Sequence, residues 1–362
     1  MTQPSRSRIR AVVVDDSPTV RDLLIAILQN AGDIDVVGSG ANGEDAVHLV
    51  GRLRPDVLTL DIRMPVMNGL EATRRIMREA PMPIVIVSGS AMRGDIDLTI
   101  EALQAGALTV VNKPGLADSE TCHKVVQAVR LMAGVPVIHH WHRLTRPVAA
   151  ATTPPSVEWR GKPARPAKIK VIGIAASTGG PAALATILRQ LPARFPMPIL
   201  IVQHITNGFA SGLAEWLSHQ TDLGVNLAGH GDALTPGTIL IAPDNYHLQV
   251  NARGVVELCK EAPYRGLRPS ANPLFQSLAH VYGPRAAGVI LTGMGDDGSD
   301  GLESLHAAGG LTIAQDEQSS VVFGMPREAI ARNAIEFILP IEQIGLLLNQ
   351  LADLPAGVTR DE

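Results

Sequence analysis

The sequence predicts two α/β domains, each built on a doubly wound, mostly parallel sheet. The chain has 362 residues, which is enough for two domains of roughly 150 residues each. Both halves alternate short aliphatic runs with amphipathic segments, an order typical of parallel sheets covered by helices. Hydrophobic residues make up 46% of the chain and aromatic residues only 3%, so both cores must be aliphatic.

Residues 8–133 contain the first predicted domain. Its strand candidates are rich in β-branched residues and are continuous, as expected for strands buried on both faces. They are residues 9–16, 35–40, 56–62, 83–89 and 108–114. Helical patterns lie between them; in the first, Ser17 can cap, Pro18 suits the first turn and Gly32 ends the helix. Five strands and five helices are therefore predicted.

Residues 134–168 are predicted to be a flexible basic and proline-rich linker. Between 139 and 168 there are six basic residues, one acid and five prolines, a composition typical of an extended, solvated segment. His139, His140 and His142 could form a metal-binding tract, but a polar helix end that runs into the linker is the simpler interpretation.

Residues 169–352 contain the second predicted domain. Helical patterns follow most of its strand candidates, which are residues 169–177, 198–204, 237–243, 286–293 and 311–316. Residues 247–260 depart from this alternation of strands and helices. Two short strand-like runs flank Ala252-Arg253-Gly254 and predict a β-hairpin. The second domain should therefore contain a mostly parallel sheet and one antiparallel hairpin.

Charge and composition exclude several classes of function. A formal net charge of −4 argues against a nucleic-acid-binding protein. Two cysteines, Cys122 and Cys259, exclude a disulfide framework and favour a cytoplasmic location. The N-terminus lacks the apolar stretch of a signal peptide and no apolar run is long enough to span a bilayer, so no direct membrane insertion is expected.

Five side chains at strand ends of the first domain share one edge of the sheet. Asp15 and Asp16 end the first strand, Asp61 the third, Ser88 the fourth and Lys113 the fifth. Three converging carboxylates would repel one another unless a hard cation such as Mg²⁺ neutralised them, and a lysine and a hydroxyl suit phosphoryl oxygens. A single acid there is commonly a helix cap, but five matching positions favour a phosphoryl site.

A turn of small residues follows the first strand of the second domain. Ser177 lies in it, Gly179 and Gly180 allow close approach of the backbone, and Pro181 suits a first helical turn. Such a helix N-terminus can bind phosphate or a dinucleotide, or it can hold a serine nucleophile whose oxyanion binds backbone amides. The G-x-G-x-x-G and Walker patterns are absent, which disfavours nucleotide binding.

His204 and Asp297 complete a candidate triad with Ser177. The next strand ends at Gln203-His204, and a later strand is followed by Asp296 and Asp297. Each residue alone could be structural, Ser177 and Asp297 as helix caps and His204 as a hydrogen-bonded imidazole. Together, at strand ends of one sheet, they favour hydrolysis. The order Ser–His–Asp and the missing G-x-S-x-G elbow differ from the α/β-hydrolases.

The first domain resembles a response-regulator receiver domain over about residues 8–133. The resemblance is carried by the acid pair Asp15-Asp16, by DIRMPVMNG at 61–69 and by NKP at 112–114. It implies a flavodoxin-like domain of five parallel strands. Receivers often carry an aromatic switch residue where this chain has Val110, so the usual aromatic switch is not expected here.

The receiver resemblance also implies a role for each residue at the sheet edge. Asp61 would accept phosphate from a chemotaxis histidine kinase. Asp15 and Asp16, together with Asp61, would hold Mg²⁺. Ser88 and Lys113 would contact the phosphoryl oxygens.

The second domain resembles the catalytic domain of the chemotaxis protein-glutamate methylesterases, the CheB family. The resemblance covers about residues 169–352, and the order of receiver, linker and this domain extends it to nearly the whole chain. Its motifs are GIAASTGGP (173–181), VQHI (202–205), GTILIAPDNYHL (237–248), RPSANPLF (268–275), ILTGMGDDG (290–298) and SSVVFGMPREA (319–329).

This resemblance implies an esterase site that needs no metal. Ser177 would be the nucleophile, His204 the general base and then acid, and Asp297 the residue that orients His204. Thr178 and the backbone N–H of Met294 would lie next to the oxyanion. The substrates would be glutamyl methyl esters on methyl-accepting chemoreceptors, where some relatives also deamidate glutamines.

Regulation is also implied by the resemblance. The unphosphorylated receiver would pack over the esterase cleft, and phosphorylation at Asp61 would expose Ser177.

The chain departs from the family in RPSANPLF, where family members commonly have an acid in place of Asn272. This difference is expected to affect local contacts or substrate preference. The protein is expected to be a monomer.

Two other interpretations stay open. A phosphorylation-dependent binding module with an idle esterase domain is disfavoured by the intact triad. A DNA-binding regulator is disfavoured by the negative net charge and by the length of the domain that follows the receiver.

Overall fold

The computed structural model describes residues 8–89, 93–115, 118–135 and 168–353. The chain separates into two compact units, Met1–Trp141 and His142–Glu362, and each is described by itself. The predicted linker falls almost entirely outside the described residues, as do His139, His140 and His142.

The N-terminal unit is one parallel sheet with helices between its strands. The strands are β1 (Ile9–Val14), β2 (Ile34–Gly40), β3 (Val57–Leu60), β4 (Ile84–Ser88) and β5 (Thr109–Asn112). The helices are α1 (Pro18–Asn30), α2 (Gly43–Leu53), α3 (Gly69–Glu79), α4 (Arg93–Gln104) and α5 (Ser119–Met132). The order β2-β1-β3-β4-β5 with parallel pairings is that of flavodoxin-like folds, which confirms the predicted class.

Helix α1 begins as the sequence predicts. The Ser17 side chain accepts a hydrogen bond from the backbone N–H of Val20, and Pro18 occupies the first turn. Leu24 and Leu28, one turn apart, are both buried. The cap therefore fixes where the helix starts, and the apolar stripe fixes which face packs on the sheet.

The core of the N-terminal unit is entirely aliphatic. None of the Phe, Tyr and Trp residues of the chain lies between positions 8 and 133. Val12, Leu58 and Ile86 are fully buried on three of its strands. Val110 is buried on β5, so an aliphatic side chain packs into the core at this position.

The C-terminal unit contains a seven-stranded parallel sheet and a separate hairpin. The sheet strands are β6 (Val171–Ala176), β7 (Ile199–Gln203), β8 (Gly224–Leu227), β9 (Thr238–Ile241), β12 (Ala286–Ile290), β13 (Leu311–Gln315) and β14 (Phe337–Leu339). Their order is β14-β13-β12-β6-β7-β9-β8. The hairpin predicted over 247–260 is confirmed, with β10 (His247–Val250) antiparallel to β11 (Val256–Cys259).

Helices connect these strands and place β6 at the centre of the sheet. They are α6 (Gly180–Leu188), α7 (Ala210–Ser218), α8 (Ala271–Val281), α9 (Ser299–Ala307), α10 (Met325–Ala331) and α11 (Ile341–Asp353), with a 3₁₀ turn at Gly283–Arg285. Strand β6 pairs with β12 on one side and β7 on the other, and all its residues are buried. The carboxyl ends of β12, β6 and β7 therefore lie side by side.

Among the helices in the described part of the chain, none has the length and apolar character that a membrane-spanning helix needs.

Strands β8 and β14 were not predicted. They are the two edge strands of the sheet and have only four and three residues. Val225 is the buried residue of β8, while Ile338 of β14 is 50% exposed. Short edge strands that are covered on one side lack the continuous apolar run that identified the others.

Candidate active sites

The carboxyl edge of the N-terminal sheet brings together the acids and the lysine predicted there. Lys113 Nζ lies 2.9 Å from Asp15 Oδ2 and 2.9 Å from Asp61 Oδ2. Ser88, at the end of β4, is held beside Lys113 because the Lys113 N–H donates to the Ser88 carbonyl oxygen at 2.9 Å. Oxygens of Asp15, Asp16 and Asp61 lie within 4.8 Å of one another, a set of hard ligands that fits Mg²⁺.

Asp61 is buried within this cluster, with only 4% of its surface exposed. Burial raises the pKa of Asp61 from 3.8 to about 6, although the hydrogen bond and charge of Lys113 act in the opposite direction. The negative charge of Asp15 adds to the rise. A cation bound beside Asp61 would therefore favour its ionised form.

Gly69 allows α3 to begin against Asp61. A Cβ at this position would collide with the Asp61 carbonyl oxygen and lie 2.9 Å from the Ile62 Cα. Asn68 caps the helix, and the Gly69 N–H donates to the Ile62 carbonyl oxygen at 3.0 Å. The glycine that ends DIRMPVMNG is thus required by the close approach of two backbone segments.

Ionisation of Asp61 is expected to lower the free energy of unfolding of the N-terminal unit as the pH rises. The folded state holds the Asp61 proton more tightly than the unfolded chain, so the free energy of unfolding should fall as the pH rises from near 3.8 through about 6. At pH ~7.5 without divalent cations, Asp61→Asn should raise that free energy for the N-terminal unit by on the order of 2 kcal/mol, with a smaller gain near pH ~4. Urea denaturation read by hydrogen exchange of peptides from 8–133 measures it.

Asp22→Asn is the matched control, because Asp22 is an exposed carboxylate on α1. It should leave the unfolding free energy of the N-terminal unit unchanged. An Asp61→Asn protein less stable than wild type under the same neutral, cation-free conditions would contradict the expected cost of the buried charge.

In the C-terminal unit, Ser177 and His204 follow corresponding ends of two paired strands. Ala176 at the end of β6 is in register with Gln203 at the end of β7. The His204 N–H donates to the Ala176 carbonyl oxygen at 2.9 Å, and the Ser177 N–H donates to the Thr292 carbonyl oxygen at 3.0 Å. Ser177 is therefore held between His204 on one side and the loop after β12 on the other.

His204 is hydrogen-bonded to Asp297, which lies in the loop after β12. His204 Nε2 is 2.8 Å from Asp297 Oδ2. Because an ionised carboxylate only accepts, Nε2 carries the hydrogen and Nδ1 is the acceptor nitrogen of the neutral ring. Within the part of the chain that the structure describes, no hydrogen bond joins Ser177 Oγ to His204; such bonds often tighten only when substrate binds.

Asp297 is buried, with 3% of its surface exposed, and it accepts three further hydrogen bonds. Oδ1 accepts from Ser270 Oγ at 2.5 Å and from Asn272 Nδ2 at 2.8 Å, and Oδ2 accepts from the Ala271 N–H at 2.7 Å. Burial alone would raise the pKa of Asp297, but the hydrogen bonds from His204, Ser270 and Ala271 outweigh it and hold the pKa below its ordinary value. Asp297 is therefore an anion at neutral pH.

The N-terminus of α8 supplies three of the four donors to Asp297. Ser270 is the N-cap of α8, and Ala271 is its first residue. The positive end of the helix dipole thus faces the carboxylate. The Ser270 N–H donates in turn to Nδ1 of the buried His247 at 3.2 Å, which ties the cap to β10.

Gln203 connects the predicted nucleophile and base. Its side chain is 4% exposed, and Nε2 donates to the carbonyl oxygens of Ser177 and His204, both at 2.8 Å. Its Oε1 packs on Gly180, where a Cβ would collide with it. Sequence reasoning missed this role of Gln203, for which adjacency to His204 was the available signal.

The backbone N–H groups of Thr178 and Met294 make no hydrogen bond within the described residues. Their surroundings are fixed, since Thr292 Oγ1 donates to the Thr178 carbonyl oxygen at 2.9 Å. Gly293, which precedes Met294, approaches Ser177 so closely that a Cβ at 293 would lie 2.7 Å from the Ser177 Cβ. Within the described residues neither N–H is already donated, so both could serve the oxyanion role that the sequence predicts for them.

Comparison with known proteins identifies both units. Residues 172–348 match the family model described as CheB methylesterase, and residues 11–126 match the response regulator receiver domain. A protein-glutamate methylesterase/protein-glutamine glutaminase 1 of Syntrophus aciditrophicus is 44% identical over 349 residues, covering 95% of this chain and 98% of that protein. The protein of the same name numbered 4 from Myxococcus xanthus is 45% identical, covering 97% and 99%.

Solved structures match each unit separately. The CheB methylesterase catalytic domain of Thermotoga maritima covers 51% of this chain and 98% of its own, with 38% identity and a TM-score of 0.49. The response regulator domain of Thermotoga maritima CheB covers 36% of this chain and 98% of its own, with 37% identity and a TM-score of 0.34. On the end-to-end identity with its relatives, the chain belongs to the CheB methylesterase family, with a response-regulator receiver domain ahead of the methylesterase domain.

Proposed function

We propose that this chain hydrolyses γ-glutamyl methyl esters of chemoreceptors, with Ser177 as nucleophile and His204 as base. The observation that carries the proposal is the 2.8 Å hydrogen bond between His204 Nε2 and buried Asp297, formed beside Ser177 at neighbouring strand ends. The names of the relatives support the substrate class. A serine, a histidine and a buried carboxylate hydrogen-bonded to that histidine favour an enzyme over a binding module with an idle esterase domain.

The first half of the reaction forms an acyl-enzyme. Ser177 Oγ attacks the ester carbonyl carbon while His204 Nδ1 takes the hydroxyl proton, because Nε2–H is already donated to Asp297. The developing oxyanion accepts hydrogen bonds from the backbone N–H groups of Thr178 and Met294. Asp297 stays ionised and stabilises the imidazolium.

The second half of the reaction returns the free enzyme. It begins once the bond between the acyl carbon and the methoxy oxygen has broken and His204 Nδ1–H has protonated the methoxy oxygen, which leaves as methanol and completes the acyl-enzyme. Water then attacks the acyl-enzyme with His204 again as base, which releases a glutamate side chain and Ser177. A glutamine side chain would pass through the same acyl-enzyme with ammonia as the leaving group, and the relatives' names include this glutaminase activity.

Phosphorylation of Asp61 by a histidine kinase is the proposed control of this activity. The Lys113 ammonium, 2.9 Å from Asp61, supplies a donor for a phosphoryl oxygen. Asp15, Asp16 and Asp61 would hold Mg²⁺, which when bound neutralises the charge of the carboxylates and of the phosphoryl group.

Methanol release from methylated receptor membranes tests both parts of the proposal. Wild-type protein should release methanol, and a small-molecule phosphodonor with Mg²⁺ should increase the rate. Asp61→Asn should show no increase. Wild-type protein that releases no methanol would refute the esterase proposal, and equal stimulation of wild type and Asp61→Asn would refute the role of Asp61.

Gln203→Met is expected to lower both activity and stability. The thioether has similar length but no N–H, so the carbonyl oxygens of Ser177 and His204 lose their buried donor, at a loss of about 1–3 kcal/mol of unfolding free energy. Because both backbone segments are then less fixed, kcat should fall about 10-fold or more. The measurements are methanol release and urea denaturation read by Trp fluorescence, and Gln343→Met, an exposed position on α11, is the control. A kcat equal to wild type would exclude this role for Gln203.

A further inference from the structure

Asn272 lies in the first turn of α8 with its side chain fully buried. Its Nδ2 donates to Asp297 Oδ1 at 2.8 Å, and its Oδ1 accepts from the Gly301 N–H at 2.8 Å. Gly301 permits this packing of α9 on α8, since a Cβ there would lie 2.7 Å from the Asn272 carbonyl oxygen. The Gly301 N–H requires an acceptor, so it fixes which end of the amide is oxygen and turns the nitrogen towards Asp297.

We propose that Asn272 is a positioning residue of the esterase, which places an amide and not a second carboxylate against Asp297 and so holds Asp297 Oδ2 towards the imidazole of His204. The inference rests on the proposed function. Asn272 and Ser270 both donate to Oδ1 of Asp297, so the carboxylate cannot rotate without losing two buried hydrogen bonds.

A carboxylate at position 272 would have the shape of the amide but not its donor. One oxygen would still accept from the Gly301 N–H, and the other would face Asp297 Oδ1 at the distance now spanned by a hydrogen bond. Two carboxyl groups this close share one proton, which leaves only at higher pH. Because Asn272 is an amide, no second carboxyl group at position 272 titrates against Asp297.

The other charged or titratable groups around Asp297 are either paired or already part of the site. They are His204, His247, Tyr264, Arg265, Asp296 and Asp300. Arg265 pairs with Asp296 and, at 3.0 Å, with Asp300, and Tyr264 donates to Asp300 at 2.6 Å. The acids nearest to Asp297 in sequence thus have cationic partners of their own.

The test is the pH dependence of kcat and kcat/KM for methanol release. Asn272→Asp should keep activity within about threefold of wild type at the acidic end of the profile and gain a falling limb towards alkaline pH. The reason is that loss of the shared proton leaves two facing carboxylates, whose repulsion moves Asp297 Oδ2 away from the position that orients His204. Asn272→Leu should lower kcat about 10-fold or more with KM little changed and without a new limb. Asn226→Asp, at an exposed site on β8, adds the same charge and should match wild type.

A second measurement does not depend on turnover. The proton on His204 Nε2, bonded to Asp297, should give a downfield NMR resonance in wild type. In Asn272→Asp it should shift or broaden over the range of the new limb. An Asn272→Asp protein whose profile and resonance both match wild type would overturn the proposal. If wild type releases no methanol but the resonance changes as expected, the proposed function fails while the positioning role of Asn272 stands.

Discussion

Replacing Ser177 with alanine is expected to lower kcat/KM for glutamyl methyl ester hydrolysis by about 10⁴-fold or more. The loss follows because Ser177 Oγ is the proposed nucleophile that forms the acyl bond, and alanine offers no atom that can. The N–H groups of Thr178 and Met294 would remain in place, so a slow background of oxyanion-assisted hydrolysis by water should persist. Methanol release from methylated receptor membranes measures the change, and mass spectrometry should detect an acyl-enzyme in wild type only.

Ser211→Ala is the matched control, since Ser211 is exposed on α7. It should hydrolyse the substrate at the wild-type rate. A Ser177→Ala protein that releases methanol within tenfold of wild type would show that another group is the nucleophile.

Replacing Asp297 with asparagine is expected to lower kcat by about 10⁴-fold, the loss that the same change causes in serine-protease triads. All four hydrogen bonds to Asp297 have the carboxylate as acceptor, and they come from His204, Ser270, Ala271 and Asn272. An amide has one acceptor oxygen, so its NH₂ group must face at least one of these donors. The imidazole then loses its orientation and tautomer, and unfolding free energy should fall by about 1–3 kcal/mol.

Asp222→Asn, at an exposed position before β8, is the control for the change of charge. Urea denaturation and kcat should be measured on the same samples, so that inactivation of folded protein is separated from unfolding. A folded Asp297→Asn protein with kcat within tenfold of wild type would exclude Asp297 from orienting His204.

The sequence predicted the parts of both sites that follow directly from strand order. Ser177 and His204 end paired strands, and a parallel sheet places such ends together, so their proximity could be expected before the structure was known. Asp61 and Lys113 follow in the same way from the ends of β3 and β5. Family resemblance then selected Asp297 over its neighbour Asp296, which in the structure pairs with Arg265.

The remaining contacts depend on side-chain conformation and on packing between distant segments. Gln203 can reach two backbone carbonyls because Gly180 leaves space for its amide, and no pattern in the sequence expresses that fit. Ser270 and Asn272 meet Asp297 because α8 and α9 pack closely through Gly301. Strand periodicity carries no information about these tertiary contacts, so the sequence marks Asn272 only as a departure from its family.

The receiver contributes no intrinsic fluorescence, because no tyrosine or tryptophan lies between positions 8 and 133. The tryptophans of the chain are Trp141, Trp159 and Trp216, and Trp216 lies on α7, the helix that follows the loop after His204. With the other two replaced by phenylalanine, emission of the full chain would come from Trp216 and from tyrosines of the esterase unit. A change in Trp216 emission after addition of a phosphodonor, absent in Asp61→Asn, would therefore be an optical readout of a signal transmitted from one domain to the other.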